Sequence, residues 1–303
     1  MGKLVLWGAH ALMVSGLLFV ASFLELLLLG QLHYLVFLVA SLLLAVAALT
    51  AVIDLGLLRA KKKPHKVRFE PIKNVRIAVG MTAYNDEGVV GKAVKDFIGA
   101  ENVSKVIVID NNCIDNTAGE AKEAGALVVA ERVQGYGAAC KRALIEARKH
   151  GNIICLVEGD QTFAASDLKK LVSFIENCDL VLGTRTTAEL AAPDSQLTTF
   201  MRYGNLFMAK LLQLRYWGTR FTDVGCTYRI IRPEALDKII QKLKVTGNHF
   251  SPHMIMIAMD AGLKVIEVPV TLHKRGGTSK GVGSDVIKGL KNGIEMWKMI
   301  LFD

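Results

Sequence analysis

Two long apolar stretches at the start of the chain most constrain how it can fold. Residues 4–29 and 34–58 are almost wholly apolar, and each exceeds the roughly 20 residues that a helix needs to cross a bilayer. A cleaved signal peptide would have a shorter apolar region and no second stretch behind it. We therefore expect a transmembrane helical hairpin over residues 1–60, with a buried hairpin of a soluble core as the alternative.

A basic linker over residues 61–74 follows the second stretch and contains Pro64 and Pro71. Its first basic residues are Lys61, Lys62, Lys63, Lys66 and Arg68. Because an excess of lysine and arginine next to a span stays on the cytoplasmic side, we expect a two-span protein of the cell membrane. Residues 75–303 would then form a cytosolic domain that ends in an amphipathic helix.

The charge of the chain indicates what it binds. The formal net charge is +9, which in a membrane protein indicates attraction to the lipid bilayer and to phosphorylated ligands. Nucleic acid is the competing partner, but no aromatic-basic stacking motif or zinc spacing supports it. The five cysteines show no paired spacing, which indicates reduced thiols in a cytosolic domain.

Strands alternate with helices after the linker. We predict apolar strands at residues 75–81, 104–109, 126–130, 153–158 and 180–182. Thr117 and Glu120 have the spacing of a capping box, which predicts a helix start at Thr117. Continuous apolar strands separated by helices predict an α/β fold with a mostly parallel sheet covered on both faces. Residues 197–220 and 285–302 have amphipathic patterns, which suit a helix at the lipid headgroups or an ordinary packed helix.

Polar clusters stand at the ends of three predicted strands, at residues 84–86, 110–112 and 158–160. Ligands of such sheets bind beyond the carboxyl ends of the strands, so we expect the clusters to form one site. Glu158 and Asp160 are carboxylates of the kind that hold Mg²⁺ or Mn²⁺ against phosphate oxygens, and Thr162 can complete that shell. Asp86 and Asp110 offer acceptors to a nucleotide, unless they only stabilise turns.

The order of these motifs resembles glycosyltransferase family 2, which has the GT-A nucleotide-sugar fold, over roughly residues 75–280. Residues 82–87 resemble the family's P-x-Y-N-E segment, and 108–117 resemble V-D-D-G-S-x-D-x-T. Residues 158–160 take the position of the D-x-D metal motif. The chain is most similar to the polyprenyl-phosphate sugar synthases, of which the dolichol-phosphate mannose synthases are examples. Residues 183–185 resemble their G-S-R segment, 222–229 their D-x-x-S-G-F-R segment, and 273–280 their R-x-G-x-S-K loop.

The resemblance implies roles for individual residues. The donor nucleotide would be bound by Tyr84, Asp86, Asp110, Asn111, Arg275, Ser279 and Lys280. The metal would be held by Glu158, Asp160 and Thr162, and the acceptor phosphate by Arg185 and Arg202. The catalytic candidates are Asp160, Arg185 and Asp223, with Asp223 as a base or as an orienting group.

The resemblance also implies an activity. It is the metal-dependent, inverting transfer of one sugar from a GDP- or UDP-linked donor to a polyprenyl or dolichyl phosphate at the cytosolic leaflet. The alternatives are another lipid acceptor such as a diacylglycerol, and a non-catalytic nucleotide-sugar-binding membrane subunit. Asn111 and Glu158 stand where the family's motifs have aspartates, and these departures allow the non-catalytic subunit. A sugar nucleotidyltransferase would need a glycine-rich basic loop that residues 80–88 lack. Residues 213–217 imitate the Q-x-x-R-W signature of processive synthases, but with the wrong spacing.

Overall fold

A computed structural model describes residues 3–30, 33–61, 67–216, 219–277 and 286–302. The chain divides into two compact units. The first comprises Met1–Lys66, Leu211–Gly218 and Ile300–Asp303, and the second comprises Val67–Lys210 and Thr219–Met299.

The first unit contains two long helices, α1 (Lys3–Leu29) and α2 (Tyr34–Lys61), which pack as an antiparallel hairpin. Small residues line their contact. The Ser15 hydroxyl donates to the Ala40 carbonyl at 2.7 Å, and a Cβ atom on Gly8 would lie only 2.2 Å from Thr50 Oγ1. Within these helices, Leu6–Leu29 and Tyr34–Ile53 are long and apolar enough to cross a membrane.

Seven strands of the second unit form one sheet in the order β3-β2-β1-β4-β6-β5-β7. The strand bounds are β1 Ile77–Ala83, β2 Val103–Asp110, β3 Leu127–Ala130, β4 Ile153–Glu158, β5 Leu180–Thr184, β6 Arg229–Ile231 and β7 Val265–Pro269. Only β6 runs antiparallel to its neighbours among the described strands. The mostly parallel α/β sheet predicted from the sequence is thus confirmed.

Eight further α-helices follow the hairpin in the described part of the chain. They are α3 Val90–Ile98, α4 Thr117–Glu123, α5 Tyr136–Ala147, α6 Leu168–Ile175, α7 Thr199–Arg215, α8 Pro233–Ile239, α9 Phe250–Asp260 and α10 Val286–Phe302. Helix α5 approaches β1 closely because Gly80 has no side chain. A Cβ atom there would lie 2.6 Å from the Ala143 carbonyl oxygen.

The register of the parallel strands brings the polar clusters to one edge of the sheet. Ala83, the last residue of β1, pairs with Asp110 of β2, and its neighbour Thr82 pairs with Glu158 of β4. The prediction that the three clusters lie at neighbouring strand ends is therefore confirmed.

The capping box predicted at the start of α4 is wrong, although the helix does begin at Thr117. The N-cap residue is Asn116, without a side-chain cap. The Thr117 hydroxyl instead accepts from the Asp86 amide at 2.7 Å, and the Glu120 carboxylate accepts from the Gly88 amide at 2.7 Å. Both side chains thereby join the β1–α3 turn to the β2–α4 region, because partners distant in sequence compete with local capping.

Candidate active site

A cavity of about 720 Å³ opens at this edge of the sheet, within the second unit. Most of the candidate residues line it, namely Tyr84, Asp86, Asn111, Glu158, Asp160, Thr162, Arg185 and Arg275. Of the other described candidates, Asp110, Arg202 and Asp223 do not line it. Ser279 and Lys280 lie outside the described residues.

Asp160 is the most buried carboxylate of the cavity wall, with 1% of its surface exposed. Its Oδ1 accepts hydrogen bonds from the Thr162 amide, at 2.9 Å, and from the Thr162 hydroxyl. Its Oδ2 is buried and accepts no hydrogen bond from the described residues. Thr162 therefore fixes the carboxylate so that one oxygen remains available in the cavity.

Glu158 lies at the end of β4 and is half-buried. Its Oε1 accepts a hydrogen bond of 2.6 Å from the Thr227 hydroxyl. Burial, followed by the nearby charge of Asp160, raises the pKa of Glu158 to about 7. Two adjacent carboxylates in a partly desolvated wall repel each other, and a cation between them would relieve this repulsion.

Arg275 supplies positive charge to the same wall. Its Nη1 lies 3.3 Å from Asp160 Oδ2, and its Nη2 lies 4.0 Å from Asp86 Oδ1. The buried Nε atom of Arg275 has no hydrogen-bond partner among the described residues. The guanidinium thus keeps donor capacity for an anionic ligand, such as a diphosphate, at this end of the cavity.

The side chains present fit a divalent cation. Asp160 Oδ2, which accepts no hydrogen bond from the described residues and has only the ion pair with Arg275, and the Glu158 carboxylate are hard oxygen donors of the kind that Mg²⁺ and Mn²⁺ select. The described residues contain no group of three or more histidine, cysteine or acidic side chains arranged to hold a metal ion. This donor set is typical of a cation that is held by one or two carboxylates and completed by substrate phosphates.

Arg185 and Asp223 form a buried ion pair. Arg185 Nε donates to Asp223 Oδ2 at 2.7 Å, and Arg185 Nη2 donates to Oδ1 at 2.9 Å. Burial alone would raise the pKa of Asp223, but the charge and hydrogen bonds of Arg185 outweigh it and hold that pKa below its ordinary value. Because both carboxylate oxygens are engaged, the geometry favours an orienting role for Asp223 over a role as a base.

Glu267 of β7 is a member of this network that the sequence did not reveal. Its Oε1 accepts from the backbone amides of Thr222 and Asp223, both at 2.9 Å. Its Oε2 accepts from the Thr222 hydroxyl at 2.6 Å. Glu267 thereby holds the turn that carries Asp223, and Asp223 in turn orients Arg185.

The turn after β1 presents Tyr84, whose side chain is 38% exposed in the cavity wall. Asp86 stabilises this turn, because its Oδ2 accepts a hydrogen bond from the Tyr84 amide at 3.0 Å. Asp110 Oδ1 accepts from the Cys113 amide at 2.9 Å, which shapes the turn after β2. The nucleotide-binding roles of these three residues remain predictions.

Asn111 uses its whole amide group to hold the loop before α5. Its Nδ2 donates to the carbonyls of Glu131, at 2.9 Å, and Val133, at 2.8 Å. Its Oδ1 accepts from the amide of Gly135 at 2.9 Å, a residue with a φ of 141°. An aspartate could not donate to two carbonyls, so the asparagine at this position has a structural reason.

We expect Asn111→Asp to destabilise the second unit. The carboxylate would face the carbonyl oxygens of Glu131 and Val133 without a donor in a partly buried contact, and unsatisfied polar groups cost up to about 1–3 kcal/mol. Thermal unfolding of the purified protein in detergent measures the loss. Asn112→Asp is the matched control, because Asn112 is exposed. Equal melting temperatures for Asn111→Asp and the wild type would contradict this role.

Apolar side chains of α7 and α10 also line the cavity. They include Phe200, Met201, Met208, Leu290, Ile294 and Trp297. Arg202 lies on α7 and is half-buried, without a side-chain partner among the described residues. The amphipathic patterns at residues 197–220 and 285–302 indicated these helices, but nothing in the patterns showed that both would border the site.

Known proteins provide a comparison for this arrangement. The hexosyltransferase Agl6 of low-salt glycan biosynthesis in Haloferax volcanii is 27% identical over 206 residues, covering 66% of this chain and 48% of the relative. The chain thus spans about half the length of that relative. The dolichyl-phosphate hexose transferase of Haloferax volcanii is 25% identical over 221 residues, covering 70% of this chain and 92% of the relative.

Solved structures share the fold. The glucosyl-3-phosphoglycerate synthase of Mycobacterium tuberculosis, crystallised with Mn²⁺ and UDP-glucose, matches with a TM-score of 0.57 and 18% identity, covering 75% of this chain and 79% of that one. A likeness at this identity shows the GT-A fold alone. Residues 78–240 match the model of "Glycosyl transferase family 2", which is more than half of the 303 residues. The chain therefore belongs to glycosyl transferase family 2 and is a glycosyltransferase.

Proposed function

We propose that the enzyme transfers one sugar from a GDP- or UDP-linked donor to a polyprenyl or dolichyl phosphate, with inversion at the anomeric carbon. One observation carries this proposal. A single cavity is lined both by the carboxylates Glu158 and Asp160 and by apolar side chains of α7 and α10. A nucleotide sugar with its cation suits the carboxylates, and a lipid acceptor suits the apolar side chains. The dolichyl-phosphate hexose transferase among the relatives agrees with such an acceptor.

The chemistry requires little proton transfer from the protein. The acceptor phosphate is already an anion at neutral pH, so one of its oxygens attacks the anomeric carbon and forms the glycosyl phosphate bond. The bond from that carbon to the donor diphosphate breaks, and the nucleoside diphosphate leaves with the electron pair. A divalent cation, when bound, neutralises charge on this leaving group. We assign its binding to Glu158 and Asp160, with Thr162 orienting Asp160.

Cationic side chains complete the proposed site. Arg275 is 3.3 Å from Asp160 Oδ2, and it would meet the donor diphosphate where negative charge develops. Ser279 and Lys280 would extend this contact from the following loop. Arg185 lines the cavity with its guanidinium fixed by Asp223, and it would bind the acceptor phosphate together with Arg202, because arginine suits phosphate oxygens.

The function is tested with purified protein in detergent. The protein is incubated with a panel of UDP- and GDP-linked sugars, a short polyprenyl phosphate and Mn²⁺ or Mg²⁺, and the lipid fraction is analysed by mass spectrometry. We expect the mass of one sugar to be added to the polyprenyl phosphate, and none to the matching polyprenol without phosphate. Glycosylation of a diacylglycerol instead would establish the alternative acceptor. Release of nucleotide without a glycosylated lipid would contradict both.

We also propose that residues 1–60 form a membrane hairpin and that residues 75–303 lie in the cytosol after the basic linker 61–74. The lengths and apolar composition of α1 and α2 support the spans. The basic residues after α2 support the orientation. A cytosolic domain has access to nucleotide sugars made in the cytosol, which agrees with the proposed donor.

Cysteine labelling tests this topology. The native thiols are poor targets, because four are buried and burial raises the pKa of Cys113 to about 11. We expect a membrane-impermeant maleimide to label His33→Cys, in the connection between α1 and α2, only from outside intact cells. Glu101→Cys, on an exposed turn, should be labelled only in inverted vesicles. The reverse pattern would overturn the cytosolic assignment and, with it, the source of the donor.

A further inference from the structure

The carboxylate of Glu158 is held by a chain of hydroxyl groups that starts at Tyr136. The Thr227 hydroxyl donates to Glu158 Oε1 at 2.6 Å. The same Thr227 oxygen is in hydrogen-bond contact with the Tyr136 hydroxyl. Thr227 has 1% of its surface exposed, and Tyr136 lines the cavity as the first residue of α5.

The direction of these hydrogen bonds is fixed when Glu158 is ionised, as a ligand of a cation must be. The carboxylate then only accepts, and Thr227 gives it its one hydroxyl proton. The proton between Tyr136 and Thr227 must therefore come from Tyr136. The order Tyr136→Thr227→Glu158 makes every hydroxyl in the chain a donor toward the carboxylate, and aligned hydrogen bonds of this kind strengthen one another in a buried setting.

This series of hydroxyl groups connects two residues that depart from the family pattern. Glu158 is one methylene longer than the aspartate that opens the D-x-D motif, and Thr227 stands at the glycine position of D-x-x-S-G-F-R. A longer carboxylate has one more rotatable bond and must lose more conformational freedom to hold a fixed position. A glycine at position 227 would offer no hydroxyl to fix it.

We propose that Thr227 and Tyr136 are positioning residues that orient Glu158 as a cation ligand. This inference rests on the proposed function, since it assigns Glu158 to the cation. Partners that hydrogen-bond to a ligating carboxylate orient it, and their loss typically weakens metal binding 10- to 100-fold. The specific consequence is that cation affinity depends on two hydroxyls that do not touch the cation.

Binding of Mn²⁺ to the full-length protein in detergent tests the inference. Free Mn²⁺ is measured by electron paramagnetic resonance, alone and with saturating UDP or GDP. We expect Thr227→Val, which keeps the side-chain volume, to weaken Mn²⁺ binding about 10- to 100-fold. Thr227→Ser, which keeps the hydroxyl, should restore most of the affinity. Tyr136→Phe should weaken binding by a smaller factor in the same direction.

A double-variant cycle separates positioning from a merely structural effect. If Thr227 acts through Glu158, then Thr227→Val should weaken Mn²⁺ binding no further in a Glu158→Ala background. An equal further loss there would overturn the inference, as would unchanged Mn²⁺ affinity in Thr227→Val. Should Thr227→Val fail to fold, the same cycle with Tyr136→Phe decides the outcome.

Asp160→Asn distinguishes the failure of this inference from failure of the proposed function. If Asp160→Asn loses Mn²⁺ while Thr227→Val and Tyr136→Phe bind it normally, the metal site stands and only the hydroxyl chain is refuted. If Asp160→Asn binds Mn²⁺ as the wild type does, the metal site itself is wrong, and the proposed function loses its basis.

Discussion

Asp160→Asn is expected to remove nearly all sugar transfer and to leave the fold intact. The Asp160 Oδ2 atom accepts no hydrogen bond from the described residues, and its described ion-pair partner is Arg275, at 3.3 Å, so the substitution removes one ion pair and no hydrogen bond of the fold. Oδ1 can keep its contacts with the amide and hydroxyl of Thr162 after the substitution. What disappears is the negative oxygen that we assign to the cation.

The expected size of the effect follows from the role of the cation. A metal ion stabilises charge on a departing group by several kcal/mol, and each 1.36 kcal/mol corresponds to a factor of ten in rate. We therefore expect a loss of roughly a thousandfold in the turnover number. Glu158→Gln should have a milder effect, because Glu158 is less buried than Asp160 and the amide oxygen can still accept from Thr227.

Steady-state transfer kinetics with Mn²⁺ or Mg²⁺, together with thermal unfolding, measure both parts of this prediction. Asp237→Asn is the matched control, because Asp237 is an exposed carboxylate that is paired with Arg148. It should leave transfer unchanged. Full activity after removal of divalent cations by a chelator, or wild-type turnover in Asp160→Asn, would show that the metal assignment is wrong.

The strands around this site could be predicted from the sequence because their signals are local. Five apolar runs separated by helical segments indicated β1 to β5, and three of them ended in polar clusters. Parallel pairing then required those ends to lie together, as the register of Thr82 with Glu158 confirms. Strands β6 and β7 have no comparable signal, since β6 is only three residues long and depends on pairing with β4 and β5.

The supporting contacts of the site could not be predicted because they join residues that are distant in the chain. Tyr136 and Thr227 are 91 positions apart, and Thr222 and Glu267 are 45 apart. No periodicity or motif links such pairs. Most of the candidate residues indicated by the sequence therefore line the cavity, while the residues that hold them in place became visible only from the packing.

Asn111 illustrates the same limit. Compared with the family pattern, an asparagine in place of an aspartate allowed a non-catalytic subunit. The structure gives it two carbonyl partners, Glu131 and Val133, for which an amide is required. A departure from a motif can thus be explained by neighbours that the motif does not include.

Asp223→Ala is expected to cause the largest loss of stability. The Asp223 side chain is fully buried and that of Arg185 is 17% exposed, so the substitution leaves a buried guanidinium without its counter-charge. Removing one partner of a buried ion pair typically costs about 3–5 kcal/mol. The wild-type pair persists at neutral pH. The pKa of Asp223 lies below its ordinary 3.8, so its stabilising contribution is lost only as the pH falls through that lower value.

Arg148 and Asp237 provide a matched control for this prediction. They form the same kind of bidentate contact, in which Arg148 Nε and Nη2 donate to the two carboxylate oxygens of Asp237 at 3.0 and 2.9 Å. Their side chains are, however, 41% and 54% exposed. We expect Asp237→Ala to lower the free energy of unfolding by less than about 1 kcal/mol, as exposed pairs do. Equal losses in the two alanine variants would contradict the proposed importance of burial.

The double variant Arg185→Met/Asp223→Leu then separates stability from function. Replacing both buried charges by apolar side chains is often neutral, but the backbone amides of Arg185 and Gly225, which donate to Asp223, would stay unpaired. The double variant should therefore regain part of the stability that Asp223→Ala loses. Transfer should not recover, because Arg185 is assigned to the acceptor phosphate. Loss of one such charged hydrogen bond costs about 1.5–3 kcal/mol, or roughly ten- to a hundredfold in acceptor efficiency.

Acceptor titrations and nucleotide affinity on the same variant show whether Arg185 binds the acceptor or the donor. Weakened nucleotide binding with unchanged acceptor kinetics would assign Arg185 to the donor and remove the main support for a lipid-phosphate site.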